Sequence, residues 1–432
     1  MQRDIEMSAV EDRLPDRVAL RAPAQESIDV EVGRIREVES SEETCWSKAC
    51  PNCRPAFQEG FELSACSAGC TCGWLCLPIH LAFGCCKGLL CGRLRRHFPE
   101  WSWSYYIGLQ IMKSLASNVP YRNLYAVQVL TDAPMPTPII PPELTVRQVS
   151  EGNVRGEWTE PTKLQTAKTL VYFHGGAFVL CRARTERMIV GNLVKALGGC
   201  RAFNVDYPKP PHSPFPAALE NALEVWDWLL AQGIRPEDVV VSGDSAGGNL
   251  ALSLLFRLQA RGSSMPAGAV LLSPWVEMLP FSSPSWTDNA PYDYIGQRSM
   301  MEQFVSMYTS GASHSDPLVA PLHASTQQLS ALPPLWISVG GAEMLRSSIE
   351  GFAFRAHQAN CEVRLYVGPG MPHVYQLCFW AYRPPNANLL PRCCWSCRYL
   401  CPATCTREDP GQALPPVARS QLATLLATRP RS

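Results

Sequence analysis

A chain of 432 residues is long enough for about two or three average domains, or for one large α/β domain with appendages. Hydrophobic residues at 46% and charged residues at 18% exclude a wholly disordered protein. Lys plus Arg and Asp plus Glu balance at 38 each, so the charge carries no footprint of a nucleic-acid partner.

Residues 1–60 are polar, lack sustained periodicity and are expected to be disordered. Their start, MQRDIEMSAVEDRLPDR, has no apolar leader core. No cleavable secretory signal is therefore expected, and the chain is expected to be intracellular, either cytoplasmic or peripherally bound to a membrane such as the endoplasmic reticulum. Of the 19 cysteines, ten fall between Cys45 and Cys91 and six between Cys378 and Cys405. Only Cys181, Cys200 and Cys361 lie in the middle, so a central domain would not depend on disulfides.

Residues 61–100 form a Cys-rich apolar segment. Within it, GWLCLPIHLAFGCCKGLLCG (73–92) has the length of a span, but Pro78, His80 and Lys87 interrupt it. The following WSWSYYIGLQIMKSLA (101–116) is aromatic and amphipathic, which makes residues 73–116 a candidate membrane-surface contact. The clusters Cys66, Cys70, Cys72, Cys76 and Cys393, Cys394, Cys397, Cys401, Cys405 are open to zinc binding or compositional bias, and the first also to S-acylation. Neither cluster has paired C-x2-C spacing.

From 101 to about 130 a helical pattern leads to the Pro-rich MPTPIIPPELTV. Short apolar runs then alternate with helical stretches. Strands are predicted at 170–173, 202–205, 239–241, 269–272, 335–339 and 363–367, with helices at 215–231, 246–261 and 344–360. Near-continuous apolar strands alternating with helices predict an α/β fold whose mostly parallel sheet is covered on both faces.

The run VVVS leads into Gly243-Asp244-Ser245-Ala246-Gly247-Gly248 and then the helical NLALSLLFRLQA. A serine in G-x-S-x-G between strand and helix sits on a tight turn with its hydroxyl exposed, and the flanking glycines let strand and helix approach. Upstream, strand TLVYF ends in His174-Gly175-Gly176-Ala177-Phe178. Consecutive glycines there leave backbone N–H groups unobstructed, as an oxyanion hole requires. Gly175 and Gly176, with Ala246, are the expected donors, and His174 is expected to brace the loop.

The serine needs a base and an orienting carboxylate, in the order Ser, acid, His. His373 lies in the Gly/Pro-rich GPGMPHVYQL just past strand VRLYV, where the base is expected. His314 and His323 come too early, and His357 falls within a helix. Strand LWISV ends in Gly340-Gly341-Ala342-Glu343, so Glu343 is the expected acid, with Asp316 and Glu350 as rivals.

This set resembles the hormone-sensitive-lipase-like α/β-hydrolases, a group of serine carboxylesterases. The resemblance covers about residues 120–376 through HGGAF (174–178), DYPKPPHSPFPAAL (206–219), GDSAGGNLALSL (243–254), SPW (273–275), DPLVAPL (316–322), GGAEML (340–345) and PHV (372–374). It implies an α/β-hydrolase fold: an eight-stranded, mostly parallel sheet flanked by helices, with the site under a helical cap built from about 101–130 and 277–313. Carried over, Ser245 is nucleophile, His373 general base and Glu343 acid, with Gly175, Gly176 and Ala246 at the oxyanion hole. Ala177 stands where the family has a third glycine, and Pro208-Lys209-Pro210-Pro211-His212 replaces its usual Arg-Leu-Ala-Pro-Glu.

The hydrolase domain with its cap is thus expected at 101–376, a Cys/Pro-rich insertion or tail at 377–410, and a closing helix at 411–432. The expected activity is hydrolysis of small apolar esters of short to medium acyl chains by a Ser-His-Glu triad, through an acyl-enzyme and without cofactor or metal. The aromatics Trp286, Tyr292, Tyr294, Phe304 and Tyr308 suggest an enclosed apolar pocket. The alternatives are an amide or formamide hydrolase, or a non-catalytic receptor like those for plant gibberellin, which lack the histidine.

Overall fold

A computed structural model describes residue 101, residues 103–118, 128, 131–132, 143–279, 281–295 and 298–377. The expectations for 1–100 and 378–432, including both cysteine clusters and the closing helix, lie outside the described residues.

Eight strands form one sheet: β1 (Leu144–Glu151), β2 (Val154–Pro161), β3 (Thr169–Phe173), β4 (Arg201–Val205), β5 (Val239–Asp244), β6 (Gly268–Leu272), β7 (Leu335–Gly340) and β8 (Val363–Gly368). Their spatial order is β1-β2-β4-β3-β5-β6-β7-β8. From β4 to β8 every pairing is parallel; β1 and β2 pair antiparallel, as do β2 and β4. The β1–β2 hairpin was not among the predicted strands. Charged residues interrupt both strands, LTVRQVSE and VRGEWTEP, and β1 is largely exposed at the sheet edge. Gly152, at φ +59°, takes the first position of its two-residue turn, as hairpin twist demands.

The inner strands β3, β5, β6 and β7 are buried throughout, which explains their uninterrupted apolar runs. Side chains alternate between faces. Val171 and Phe173 of β3 and Val239 and Val241 of β5 join the larger core cluster, while Leu170, Tyr172 and Val240 join the smaller one. The larger cluster is packed by α3 (Ala217–Ala231), α4 (Ala246–Ala260), α6 (Arg298–Thr309) and α8 (Arg346–Gln358). On the smaller face lies α2 (Arg187–Ala196), through Ile189, Val190, Leu193 and Val194. Arg187 on α2 meets the buried Glu157 of β2, its Nη2 2.7 Å from Oε2.

Two further pieces stand near the carboxyl ends of the strands. Helix α1 (Trp103–Asn118) follows Trp101, whose indole N–H donates to Gly370 O at 2.7 Å. Between β6 and β7 the chain forms α5 (Pro284–Asp288), α6 and the short α7 (Thr326–Ser330). Lys113 of α1 donates to Ala290 O, and the ring of Trp101 meets that of Tyr292 edge-on, so the two pieces touch. Within 101–116 the side chains of Trp101, Tyr105, Tyr106 and Leu109 are buried in a cluster with Ala342, so these four are turned to the protein. Among the described residues no helix is long and apolar enough to cross a membrane.

Candidate active site

Ser245 caps α4 at φ +52°, ψ −119°. A side chain other than glycine is rarely held there, at a cost of about 1–3 kcal/mol, so the surroundings must impose it. They do so through backbone bonds and close approach. The Ser245 N–H donates to Leu272 O at 2.9 Å, and its carbonyl accepts from Trp275 and Asn249. A Cβ on Gly247 would lie 2.0 Å from Phe173 O, and one on Gly243 would lie 2.4 Å from Gly247 O. Those glycines admit the turn between β5 and α4.

His373 follows β8 and Glu343 follows β7, so both reach the serine from neighbouring strand ends. His373 Nε2 is 2.9 Å from Ser245 Oγ, and its Nδ1 is 2.8 Å from Glu343 Oε1. A carboxylate only accepts, so the ring proton sits on Nδ1 and the Nε2 lone pair faces the serine hydroxyl. Burial pushes the imidazole pKa down, but the charges of Glu343, Asp293 and Asp244 outweigh it and the net direction is up.

Glu343 is completely buried. Its Oε2 accepts from Ser273 Oγ and from the Gly340 N–H, both at 2.7 Å. The rival acids are engaged elsewhere. Asp316 accepts from the Leu318 N–H, and Glu350 pairs with Arg346. His323 and His357 are exposed, and neither contacts the serine.

The loop after β3 runs through consecutive left-handed residues, Gly176 (φ +98°), Ala177 (φ +55°) and Phe178 (φ +63°). Val179 and Leu180 N–H groups bond the Gly176 carbonyl, turning it away from the loop's open side. Among the described residues the N–H groups of Gly176, Ala177 and Ala246 have no hydrogen-bond acceptor. The Gly175 backbone acts on the Asp244 carboxylate and lowers its pKa. That carboxylate lies where a Gly175 Cβ would be, 2.1 Å from Oδ2, which is why glycine is required there. Asp244 also accepts from Tyr172 Oη at 2.8 Å, and burial lifts its pKa to about 6.

His174 braces the loop. Its ring stacks on Tyr207 at 4.1 Å, and its Nδ1 donates to Gly175 O at 2.7 Å. Tyr207 Oη in turn donates to His174 O. Burial drives the His174 pKa down to about 3, so it stays neutral at working pH. The departure at Lys209 also acquires a place: its ammonium donates to Cys181 O and lies 3.4 Å from Asp132, which Arg182 grips at 2.6 Å.

The cap aromatics divide. Tyr308 stacks on Phe178 at 3.6 Å, and Tyr294 lies 6.2 Å from the His373 ring. Trp286, Phe304 and Tyr308 all belong to the main core cluster, with Trp286 stacking on Phe281. Three polar side chains at the site carried no role in the sequence reading. Asp244 directly precedes the nucleophile, and Ser273 ends a buried strand; both are readable signals. Asp293 has none. Among the described residues no group of three His, Cys, Asp or Glu side chains could hold a metal, and Cys181, Cys200 and Cys361 are free thiols.

Residues 170–377 match the family described as alpha/beta hydrolase fold. An esterase of Acinetobacter venetianus is 31% identical over 293 residues, covering 67% of this chain and 94% of that esterase. An acetyl-hydrolase of Streptomyces hygroscopicus is 34% identical over 227 residues, 52% of this chain and 74% of its own. Among solved structures, an esterase/lipase from an uncultured bacterium superposes with a TM-score of 0.57 at 28% identity, covering 66% of this chain and 93% of its own. A hormone-sensitive lipase from a metagenome library gives 0.56 at 28% identity, covering 63% and 91%. The chain belongs to the hormone-sensitive-lipase-like branch of the α/β-hydrolase-fold family, whose matching members carry the names esterase and carboxylesterase.

Proposed function

We propose that this chain hydrolyses carboxylic esters of short to medium acyl chains through Ser245, His373 and Glu343. The observation that carries the reading is the continuous path from Ser245 Oγ to His373 Nε2 and from Nδ1 to Glu343. Ser245 gives its proton to Nε2 as Oγ attacks the ester carbonyl carbon. The imidazolium is held by the buried Glu343 charge, and the oxyanion meets the N–H groups of Gly176, Ala177 and Ala246. The proton then passes to the departing alkoxide, which leaves as the alcohol. Water repeats the sequence in the second half: it gives a proton to His373, attacks the acyl carbon and releases the acid, while Ser245 recovers its proton.

The acetyl-hydrolase and esterase names of the relatives support short acyl groups. So does the Phe178–Tyr308 stack, which fills space beside the oxyanion loop. The test is turnover of p-nitrophenyl esters from acetate to palmitate by the wild-type chain and by Ser245→Ala, with the matching anilides alongside. Turnover on the short esters, absent from S245A, supports the reading; anilide cleavage exceeding ester cleavage replaces it with an amidase.

A further inference from the structure

The cap is fastened to the acid and base loops by three polar side chains spaced four residues apart. Ser285 Oγ donates to Met344 O at 2.8 Å and accepts from the Ser347 N–H at 2.9 Å. Asn289 Nδ2 donates to Glu343 O at 2.8 Å. Asp293 is the most consequential. It is completely buried, and its carboxylate accepts from three backbone N–H groups: Met344 on Oδ2 at 2.7 Å, with Tyr294 at 2.7 Å and His373 at 3.1 Å on Oδ1. One cap carboxylate therefore grips both the histidine's own main chain and the residue that follows Glu343.

Three donors aimed at an acceptor-only group suit its ionised form. Burial lifts the Asp293 pKa to about 6, so the charge is present at neutral pH. The charged groups acting on His373 are Glu343 from the end of β7, Asp293 from the cap and Asp244 from the end of β5, with the Tyr294 ring alongside.

We propose that Asp293 is a positioning residue for hydrolysis, seating the His373 and Glu343 loops from the cap and stabilising the imidazolium that forms when Ser245 is deprotonated. The proposal rests on the triad reading above. It makes the cap part of the base's geometry as well as a cover over the substrate.

The test compares wild type, Asp293→Asn, Asp288→Asn and Ser245→Ala as full chains, with p-nitrophenyl acetate from pH 5 to 9 and thermal melts. Asp288 is an exposed carboxylate on the same cap segment and controls for lost charge. D293N is expected to lower kcat about ten- to a hundredfold while KM changes less than about twofold. Its acid limb of kcat/KM should move to lower pH by about half a pH unit, because the imidazolium loses a neighbouring negative charge. D288N should match wild type. A folded D293N whose acid limb stays in place, whatever its kcat, would overturn the proposal, since a merely structural role lowers rate at every pH alike. If D293N does not fold, Asp293→Ser is read in the same way; failure of both assigns Asp293 to stability alone and also overturns it. Activity remaining in S245A would instead sink the triad reading, independently of what D293N does.

Discussion

Ser273 donates its hydroxyl proton to Glu343 Oε2 at 2.7 Å and accepts the Val374 N–H at 3.1 Å. One side chain at the end of β6 thus joins the candidate acid to the residue beside the candidate base. Ser273→Ala leaves that buried oxygen with the Gly340 N–H as its remaining hydrogen bond. We expect kcat to fall about tenfold with KM nearly unchanged, and the thermal midpoint to drop because the buried Val374 N–H also loses its acceptor. Steady-state kinetics beside a melt would check it.

The pH profile follows from the charges around His373. Its pKa lies above the ordinary 6.5, so kcat/KM should fall on acidification with a midpoint above 6.5. Glu343→Gln removes the largest of the favourable charges. The acid limb should then shift to lower pH, and kcat should drop about 10³-fold as the imidazole loses its anchored tautomer. Unchanged limbs in E343Q would argue against the assignment of the acid.

His174 contributes a pH dependence of stability with its own sign. The unfolded chain takes up a proton near 6.5, the folded one only near 3. Its share of stability is therefore complete above pH 6.5 and is lost as pH falls toward 3. Denaturant titrations of wild type and His174→Gln should show a shallower acid loss in the variant, although its stability at pH 8 will be lower because the stack on Tyr207 is gone.

Two glycines make opposite predictions. A methyl at Gly247 meets the Phe173 carbonyl at 2.0 Å, backbone against backbone, with no side chain to yield. Gly247→Ala should cost more than about 4 kcal/mol and leave little folded protein. Gly351 sits inside α8 with only Leu322 Cδ1 near, at 3.9 Å. Gly351→Ala should stabilise by about 0.5–1 kcal/mol, read as a raised melting midpoint.

The buried Glu157 depends on Arg187, which reaches it through both Nε and Nη2. Arg187→Met removes the counter-charge of a carboxylate whose side chain is 1% exposed and leaves it the Gln148 amide at 2.7 Å, for a loss of about 3 kcal/mol. Equal melting points for R187M and wild type would contradict this.

Much of the centre was legible because it is written locally. The strands β3 to β8 are short, largely apolar runs, and the turn at Ser245 is fixed by glycines within three residues of it. Ser245, Glu343 and His373 each follow a strand in the parallel part of the sheet, so reading those strand ends was enough to place them near one another. What escaped depends on distant partners. The β1–β2 hairpin hides its strands behind exposed charges at the sheet edge, though Gly152-Asn153 was a usable turn signal. Gly175 was expected at the oxyanion hole, but the group its backbone acts on, Asp244, lies 69 residues away in sequence. Asp293 has no motif around it, and its meaning comes entirely from N–H groups of Met344 and His373 that the chain delivers later.

The measurement closest to the central claim is covalent labelling with a fluorophosphonate, mapped by peptide mass spectrometry and followed against loss of esterase activity. The account predicts one adduct on Ser245, formed in step with inactivation, absent from Ser245→Ala and much slower in His373→Ala. An adduct on another residue, or activity that survives full labelling of Ser245, would contradict it.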